Sequence, residues 1–380
     1  VVKIEFKMTD IFISADSLIT PFGIGSELAF EKIKSGETAV KKHSNPKLSQ
    51  NEFYASLIEE KDEWFSGLNL DESFTRLEKL IILCLNELFS QNNIQPTEKT
   101  LFILSSTKGN ISILENPEFN FPNERALLTS LTRQIEDYFK LKNKIQIVSN
   151  ACISGSLAIE YAKRLLQSDE YDDAIVIGAD EVSKFILSGF ESFQAVSDSV
   201  CKPFDRDRNG INLGEAIATV YLTKLPTENS VKILGSGTFN DANHISGPSR
   251  TGEGLFRSIQ KALENSEAEI GFISAHGTAT IYNDEMESIA FHRSGLSEIP
   301  TNSLKAYFGH TLGASGLLES ILGIHSLKNN VLISSLGFET QGTTYPVNII
   351  QNAEGKELKT FLKTASGFGG SNIATVFEKI

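Results

Sequence analysis

Nowhere does this 380-residue chain sustain the ~20 consecutive apolar residues of a transmembrane helix, so a membrane-spanning role is set aside. The first residues mix Lys3, Glu5, Lys7 and Asp10 among apolar side chains and lack the unbroken apolar stretch of a secretory leader. Cysteine is scarce too. Cys84, Cys152 and Cys201 are scattered and odd in number, which excludes a disulfide framework and fits a reducing, cytoplasmic setting. Lys and Arg number 35 against 48 Asp and Glu, and the net charge of −13 disfavours a surface built to hold nucleic-acid phosphates. There is no low-complexity tract, no obvious linker, and no G-x-G-x-x-G spacing of the kind that cradles a dinucleotide.

What is present is an ordinary globular composition, 40% hydrophobic and 22% charged, over a length that suits two intimately joined halves. Short β-branched runs bounded by Gly, Asn, Ser or Asp predict strands at 11–15, 101–105, 145–149, 174–178, 217–222, 231–235, 270–275 and 373–377. Helical periodicity lies between them, at 27–35, 75–90, 154–167, 255–266, 283–291 and 316–327. Strands and helices alternate, which predicts an α/β protein. The polar stretch 41–66 reads as a decorated surface loop. Two segments look like counterparts, one opening at Cys152-Ile-Ser-Gly-Ser and the other at His310-Thr-Leu-Gly-Ala-Ser-Gly. Each sets a reactive residue ahead of small residues and an apolar helix; such helix starts are common, so the pairing alone does not establish a duplication.

Cys152 follows a predicted strand and precedes a predicted helix, where the helix dipole is expected to lower a thiol's pKa and make a nucleophile. A lone cysteine is more often an inert small hydrophobe, and that is the reading for Cys84, inside an apolar helical run, and for Cys201, in a loop. Of six histidines, His276 and His310 each end an apolar or small-residue stretch beside glycine, where a ligand finds room. Zinc is the alternative, but the pair lacks short ligand spacing and no third His or Cys accompanies it in sequence. A cysteine with two imidazoles suits acyl transfer, since imidazole N–H groups stabilise charge on a thioester oxygen. His43, His244, His292 and His325 have no such setting and read as ordinary surface or core residues. The glycines of Ser366-Gly-Phe-Gly-Gly-Ser-Asn either bring backbone N–H groups to a substrate or make a tight turn.

Taken in order, Leu18-Ile-Thr-Pro-Phe-Gly-Ile-Gly, Asn150-Ala-Cys-Ile-Ser-Gly, Lys202-Pro-Phe-Asp-Arg-Asp-Arg-Asn-Gly, His276-Gly-Thr-Ala-Thr with Asn283-Asp284, the block Lys305 to His310, and Gly367-Phe-Gly-Gly-Ser-Asn form a set. The set resembles the β-ketoacyl-acyl carrier protein synthases, the elongating condensing enzymes, over nearly the whole chain. The resemblance implies a thiolase-like, five-layered α-β-α-β-α fold of two pseudo-duplicated halves, 8–225 with the nucleophile and 226–380 with both histidines. It implies decarboxylative Claisen condensation with malonyl-acyl carrier protein, with Cys152 accepting the acyl chain and the N–H groups of Cys152 and Phe368 forming an oxyanion hole. His276 and His310 would bind the malonyl thioester carbonyl. Lys305 and Glu319 would support them, Thr278 and Thr280 would contact the pantetheine arm, and Phe368 would gate the pocket. No metal and no redox cofactor is implied. The implied partners are acyl carrier protein and a second subunit, as a homodimer or as a heterodimer with a related chain.

Departures from the family pattern point to unusual specificity. The loop from Val196 to Lys202 is short, and the region between Leu101 and Ile145 lacks the usual Gly-Pro. Gln194 stands where an arginine often helps carrier docking, and Asn209 and Ala216 replace an acidic residue and a glycine. A thiolase shares the fold but is opposed by the His310 block. A non-catalytic chain-length-factor type of subunit is opposed by the intact Cys152.

Overall fold

In the computed structural model, which describes residues 9–116, 120–264 and 269–380, alternation along the strands builds the layers. The principal strands are β1 (Phe12–Thr20), β2 (Thr100–Ser105), β3 (Gln146–Val148), β4 (Asp173–Asp180), β5 (Ala216–Thr223), β6 (Val231–Asn240), β7 (Phe272–Ser274), β8 (Thr301–Asn302), β9 (Thr360–Gly367) and β10 (Ser371–Lys379). Their order is β8-β7-β9-β10-β6-β1-β5-β4-β2-β3. The first five run β3-β2-β4-β5-β1, with β2 parallel to β3 and β4, and β5 antiparallel to β4 and β1. The last five repeat that order and those directions strand for strand, as β8-β7-β9-β10-β6. Two copies of one topology therefore meet edge to edge, where Phe12 and Ile13 of β1 pair with Lys232 and Val231 of β6.

The principal helices are α1 (Ser26–Lys34), α2 (Arg76–Asn92), α3 (Leu128–Phe139), α4 (Ser154–Gln167), α5 (Lys184–Ser192), α6 (Glu253–Leu263), α7 (Ile281–Arg293) and α8 (Ser315–Asn329). Because side chains alternate across a strand, Phe102 and Leu104 of β2 bury against α2 and α3, whereas Leu101 and Ile103 bury against α4 and α8. In the second copy Phe361 of β9 turns to the same central helices, and Leu362 turns out to α6 and α7. The result is the five-layered thiolase-like α-β-α-β-α arrangement, with α4 and α8 as the middle layer. These two helices pack closely where Gly316 faces Ser156. A Cβ placed on Gly316 of α8 would lie 2.3 Å from Ser156 Oγ and 2.8 Å from the Ser156 amide nitrogen on α4.

Several elements differ from expectation. The stretch 41–66 is not merely a decorated loop: Lys41–His43 and Phe53–Ser56 pair with each other, the latter also with Leu213–Gly214, and Phe53, Ala55 and Ser56 are buried. Helices α3 and α5 and strand β9 were not among the expected elements. In α3 the apolar spacing Leu128, Leu131, Ile135, Phe139 was available; in β9 Lys363 interrupts the apolar run. The helix expected over 255–266 runs Glu253–Leu263, and its last expected residues, like Lys3, Glu5 and Lys7, lie outside the described residues. No helix of the described residues is long and apolar enough to cross a membrane.

Candidate active site

Ligands of open α/β sheets bind beyond the carboxyl ends of parallel strands, and the residues singled out by sequence lie there. Cys152 follows β3, His276 follows β7, His310 follows β8, and Phe368 follows β9. The counterpart segments noted in sequence are topological equivalents: Cys152 leads into α4 after β3, and His310 leads towards α8 after β8. Ala151 takes a left-handed backbone, φ 44°, at the sharp turn from strand to helix, a strained conformation that places the next side chain at the elbow. His310 is held from both sides, its N–H donating to Asn212 O at 2.7 Å and its carbonyl accepting from Gly214 N at 3.0 Å. Only glycine fits at 309, where φ is 64° and a Cβ would sit 2.3 Å from Leu213 O.

Cys152 Sγ and one nitrogen each of His276 and His310 lie within 4.8 Å of one another, all buried. The two imidazoles meet edge to face with centroids 5.2 Å apart. The Phe368 N–H donates to Cys152 Sγ, and a Cβ on Gly367 would lie 3.1 Å from the Cys152 amide nitrogen, so the end of β9 runs alongside that amide. The trio opens into a cavity of about 340 Å³. Thr278, Thr280 and Asn283 supply its polar wall, Thr278 Oγ1 and Thr280 Oγ1 being 2.8 Å apart. Phe190, Phe193, Ile245, Tyr282 and Phe368 supply an apolar one. Phe368 stacks on Phe190 and meets Phe193 edge-on, each at 5.6 Å.

The Leu312 N–H donates to His310 Nδ1 at 3.3 Å, which assigns the ring proton to Nε2, and that buried nitrogen has no partner among the described residues. Burial, then the Lys305 charge, holds both imidazoles well below the usual histidine range, so they rest neutral. Beneath them Lys305 donates to Glu319 of α8, whose other oxygen lies 2.6 Å from Lys363 Nζ on β9. Burial works to raise the Glu319 carboxyl, but the two lysines outweigh it and hold it low. Two ammonium groups beside the trio oppose a divalent cation there and favour negative charge on a bound substrate. Glu287 of α7 fixes the His276 turn, accepting from His276 N at 2.9 Å and Gly277 N at 2.6 Å. Asp180, the last residue of β4, ties the copies together by accepting from Thr107 Oγ1 at 2.8 Å, Lys108 Nζ at 3.1 Å and Gly313 N at 2.7 Å.

The expected lowering of the Cys152 thiol is overturned, because burial pushes it up to about 11 against the Lys305 charge and the Phe368 N–H. At neutral pH it rests as a thiol. Its alkylation by iodoacetamide, followed by peptide mapping, should keep accelerating to about pH 10. A plateau by about pH 8 would instead reveal a stabilised thiolate. Cys84 and Cys201 are also buried, and burial pushes both up to about 12. His244 is an exposed residue, as its sequence reading allows, and it also lines the cavity with Ile245. Sequence reasoning missed Lys363, Glu287 and Asp180. A lysine inside the strand-like run Thr360-Phe-Leu-Lys-Thr-Ala was the available signal for the first; Glu287 and Asp180 gave none.

The β-ketoacyl synthase N-terminal domain matches residues 8–228 and the β-ketoacyl synthase C-terminal domain matches 231–339. The chain belongs to the β-ketoacyl synthase family. Within that family it is 29% identical over 274 residues to 3-oxoacyl-[acyl-carrier-protein] synthase 2 of Rhizobium meliloti (strain 1021), covering 67% of this chain and 65% of that protein. It is 28% identical over 272 residues to the tetracenomycin polyketide synthase ketoacyl synthase alpha subunit of Streptomyces glaucescens, covering 66% and 64%. The matched stretch thus spans just under two thirds of these curated relatives. Among solved structures, the ketosynthase ApeO in complex with its chain length factor ApeC, from Xenorhabdus doucetiae, superposes with a TM-score of 0.86 at 26% identity, covering 97% of this chain and 98% of that chain. One departure from the family pattern has a local reason. Asn209 accepts from Ser197 Oγ at 2.6 Å and donates to Asp198 at 2.7 Å, and an acidic residue could not make the second bond.

Proposed function

We propose that this chain is a β-ketoacyl-acyl carrier protein synthase that joins an acyl-cysteine to a malonyl thioester with loss of carbon dioxide. The observation that carries the reading is the convergence of one thiol and two neutral imidazoles within 4.8 Å, at the floor of a cavity with a polar wall and an apolar wall. In the first half-reaction Cys152 Sγ attacks the acyl thioester and the pantetheine thiol leaves with a proton, so no net charge is created. In the second, the malonyl carboxylate departs as carbon dioxide and its electron pair forms an enolate, whose oxygen takes hydrogen bonds from His276 and His310. The enolate carbon attacks the acyl-cysteine carbonyl. The N–H groups of Cys152 and Phe368 receive the resulting oxyanion, and its collapse breaks the C–S bond to release the 3-oxoacyl thioester and a Cys152 thiolate, which takes a proton from solvent to return to the thiol.

Lys305 and Glu319 support the imidazoles from below. Thr278 and Thr280 face the pantetheine arm, and Phe368, stacked on Phe190 and edge-on to Phe193, gates the acyl pocket. The working division is 8–225 and 226–380, with acyl carrier protein as the partner that delivers both substrates. The second subunit is a copy of this chain or a related one, and similarity to a ketosynthase solved with its chain length factor favours testing the latter. The similarity to fatty-acid and polyketide members leaves both product classes to be assayed.

The reading is tested by incubating the protein with acyl-acyl carrier protein and mapping peptides by mass spectrometry. The acyl mass should appear on the Cys152 peptide and be discharged as a 3-oxoacyl product when malonyl-acyl carrier protein is added. Acylation of Cys84 or Cys201 in its place, or no discharge with any related subunit present, would sink it.

A further inference from the structure

Strand β9 carries alternate side chains to opposite layers, and this sends Lys363 inward with Phe361 while Thr364 turns outward to Glu287, 3.1 Å away. Lys363 is fully buried, with 1% of its surface exposed. A lysine in such a place loses most of its hydration and is retained only where acceptors surround the ammonium. Here they do. Its Nζ donates to Ser274 O at 3.1 Å, Ala275 O at 3.2 Å and Thr364 O at 2.7 Å, and Glu319 lies at 2.6 Å. Three carbonyl acceptors call for three N–H donors, which is the ammonium form. Ser274 and Ala275 are the two residues immediately before His276.

Lys305 also pairs with Glu319, so two ammonium groups share that one carboxylate; burial lowers the pKa of the Lys363 ammonium, and Glu319 and then Glu287 oppose that lowering. We propose that Lys363 is a positioning residue of the condensation site, clamping the end of β7 that bears His276 and setting, with Lys305, a positive field under both imidazoles. The catalytic meaning of this assignment rests on the proposed condensation; its structural content does not. The field agrees with the direction of the histidine shifts, for which burial is the largest cause and Lys305 and Lys363 add to it. Charged and titratable groups around the imidazoles come from every neighbouring element. Lys305 comes from the short helix before His310, Lys363 from β9, Glu319 from α8, and Asp284 and Glu287 from α7. Lys108 comes from the loop after β2 and Asp180 from the end of β4, Cys152 precedes α4, and each imidazole faces the other. Of these, only Lys363 both touches the His276 segment through backbone carbonyls and carries a charge.

The test uses full-length protein with histidine labelled at Cε1, titrated by NMR, which requires no activity. In the wild type the His276 and His310 resonances should stay at their neutral positions down to about pH 5, far below an ordinary histidine midpoint; titration near about pH 6.5 would overturn the proposal whatever the variants do. In Lys363→Met, which removes charge and donors, and in Lys363→Gln, which keeps donors but not charge, one or both midpoints should move upward. Only the Met variant should also broaden or shift His276 at high pH, as its clamp is lost. Folded variants whose histidines titrate like the wild type would overturn the assignment. Decarboxylation of malonyl-acyl carrier protein, followed in parallel, separates the two readings. Shifted midpoints in a protein that never decarboxylates would leave Lys363 in place and remove the condensation. Unshifted midpoints in an active synthase would do the reverse.

Discussion

A Cys152→Gln variant should form no condensation product yet release carbon dioxide from malonyl-acyl carrier protein at the wild-type rate or faster. Glutamine places an amide where the acyl-cysteine carbonyl would be, with its oxygen able to reach the Phe368 N–H that now binds Cys152 Sγ. The malonyl site then meets the shape of the acylated protein without an electrophile. His276 and His310 are untouched, so the enolate still forms, and it is protonated instead of attacking carbon. The product should be acetyl-acyl carrier protein. Loss of decarboxylation together with condensation, in a variant that keeps its fold, would mean that the sulfur itself is needed for carbon dioxide release and that the two half-reactions are not separable as drawn.

Replacing either imidazole should do the opposite. His310→Ala removes the unpartnered buried Nε2 donor, and His276→Ala removes the second of the converging rings. The deletion of one donor to a developing oxyanion typically costs ~10²–10³-fold in rate, or ~3–4 kcal/mol. Each variant should therefore lose about that much decarboxylation while Cys152 still accepts an acyl group within about tenfold of the wild type. Radiolabelled acyl transfer and acetyl-acyl carrier protein formation measure the two steps on one sample. Should both variants decarboxylate normally, the imidazoles are not the enolate's hydrogen-bond donors, although the fold and the family stand.

Much of this candidate site is legible in the sequence, because its residues sit on short segments with a recognisable local pattern. Cys152 at a strand-to-helix turn, and two histidines ending apolar runs beside glycine, are features of consecutive residues. What was not legible depends on which layer a side chain enters. Lys363 reads as a defect in a strand until Glu319, 44 positions earlier in the chain, is seen across the layer boundary. Glu287 serves the His276 turn from the next helix, and Asp180 gathers donors from residues 107, 108 and 313. The thiol illustrates the same limit in energy rather than position. A helix start favours thiolate, burial favours thiol, and only the structure shows that burial prevails. The strand and helix pattern was read well where apolar runs were unbroken. It failed at the stretch 41–66, whose strand at Phe53–Ser56 is stabilised by pairing with residues more than 150 positions away.

The close contact between α4 and α8 bears on how the two halves hold the site in register. One helix starts just after Cys152 and the other just after His310, and at Gly316 and Ser156 they meet with no room for a methyl group. A bulkier residue at 316 would be absorbed by a small separation of the two helices, one that the surrounding sheets could tolerate. The sulfur and the imidazole would move with their helices, and an alignment needed to within fractions of an ångström would be lost in a protein that still folds. The seam between the two central helices therefore governs the spacing of the sulfur and the imidazole.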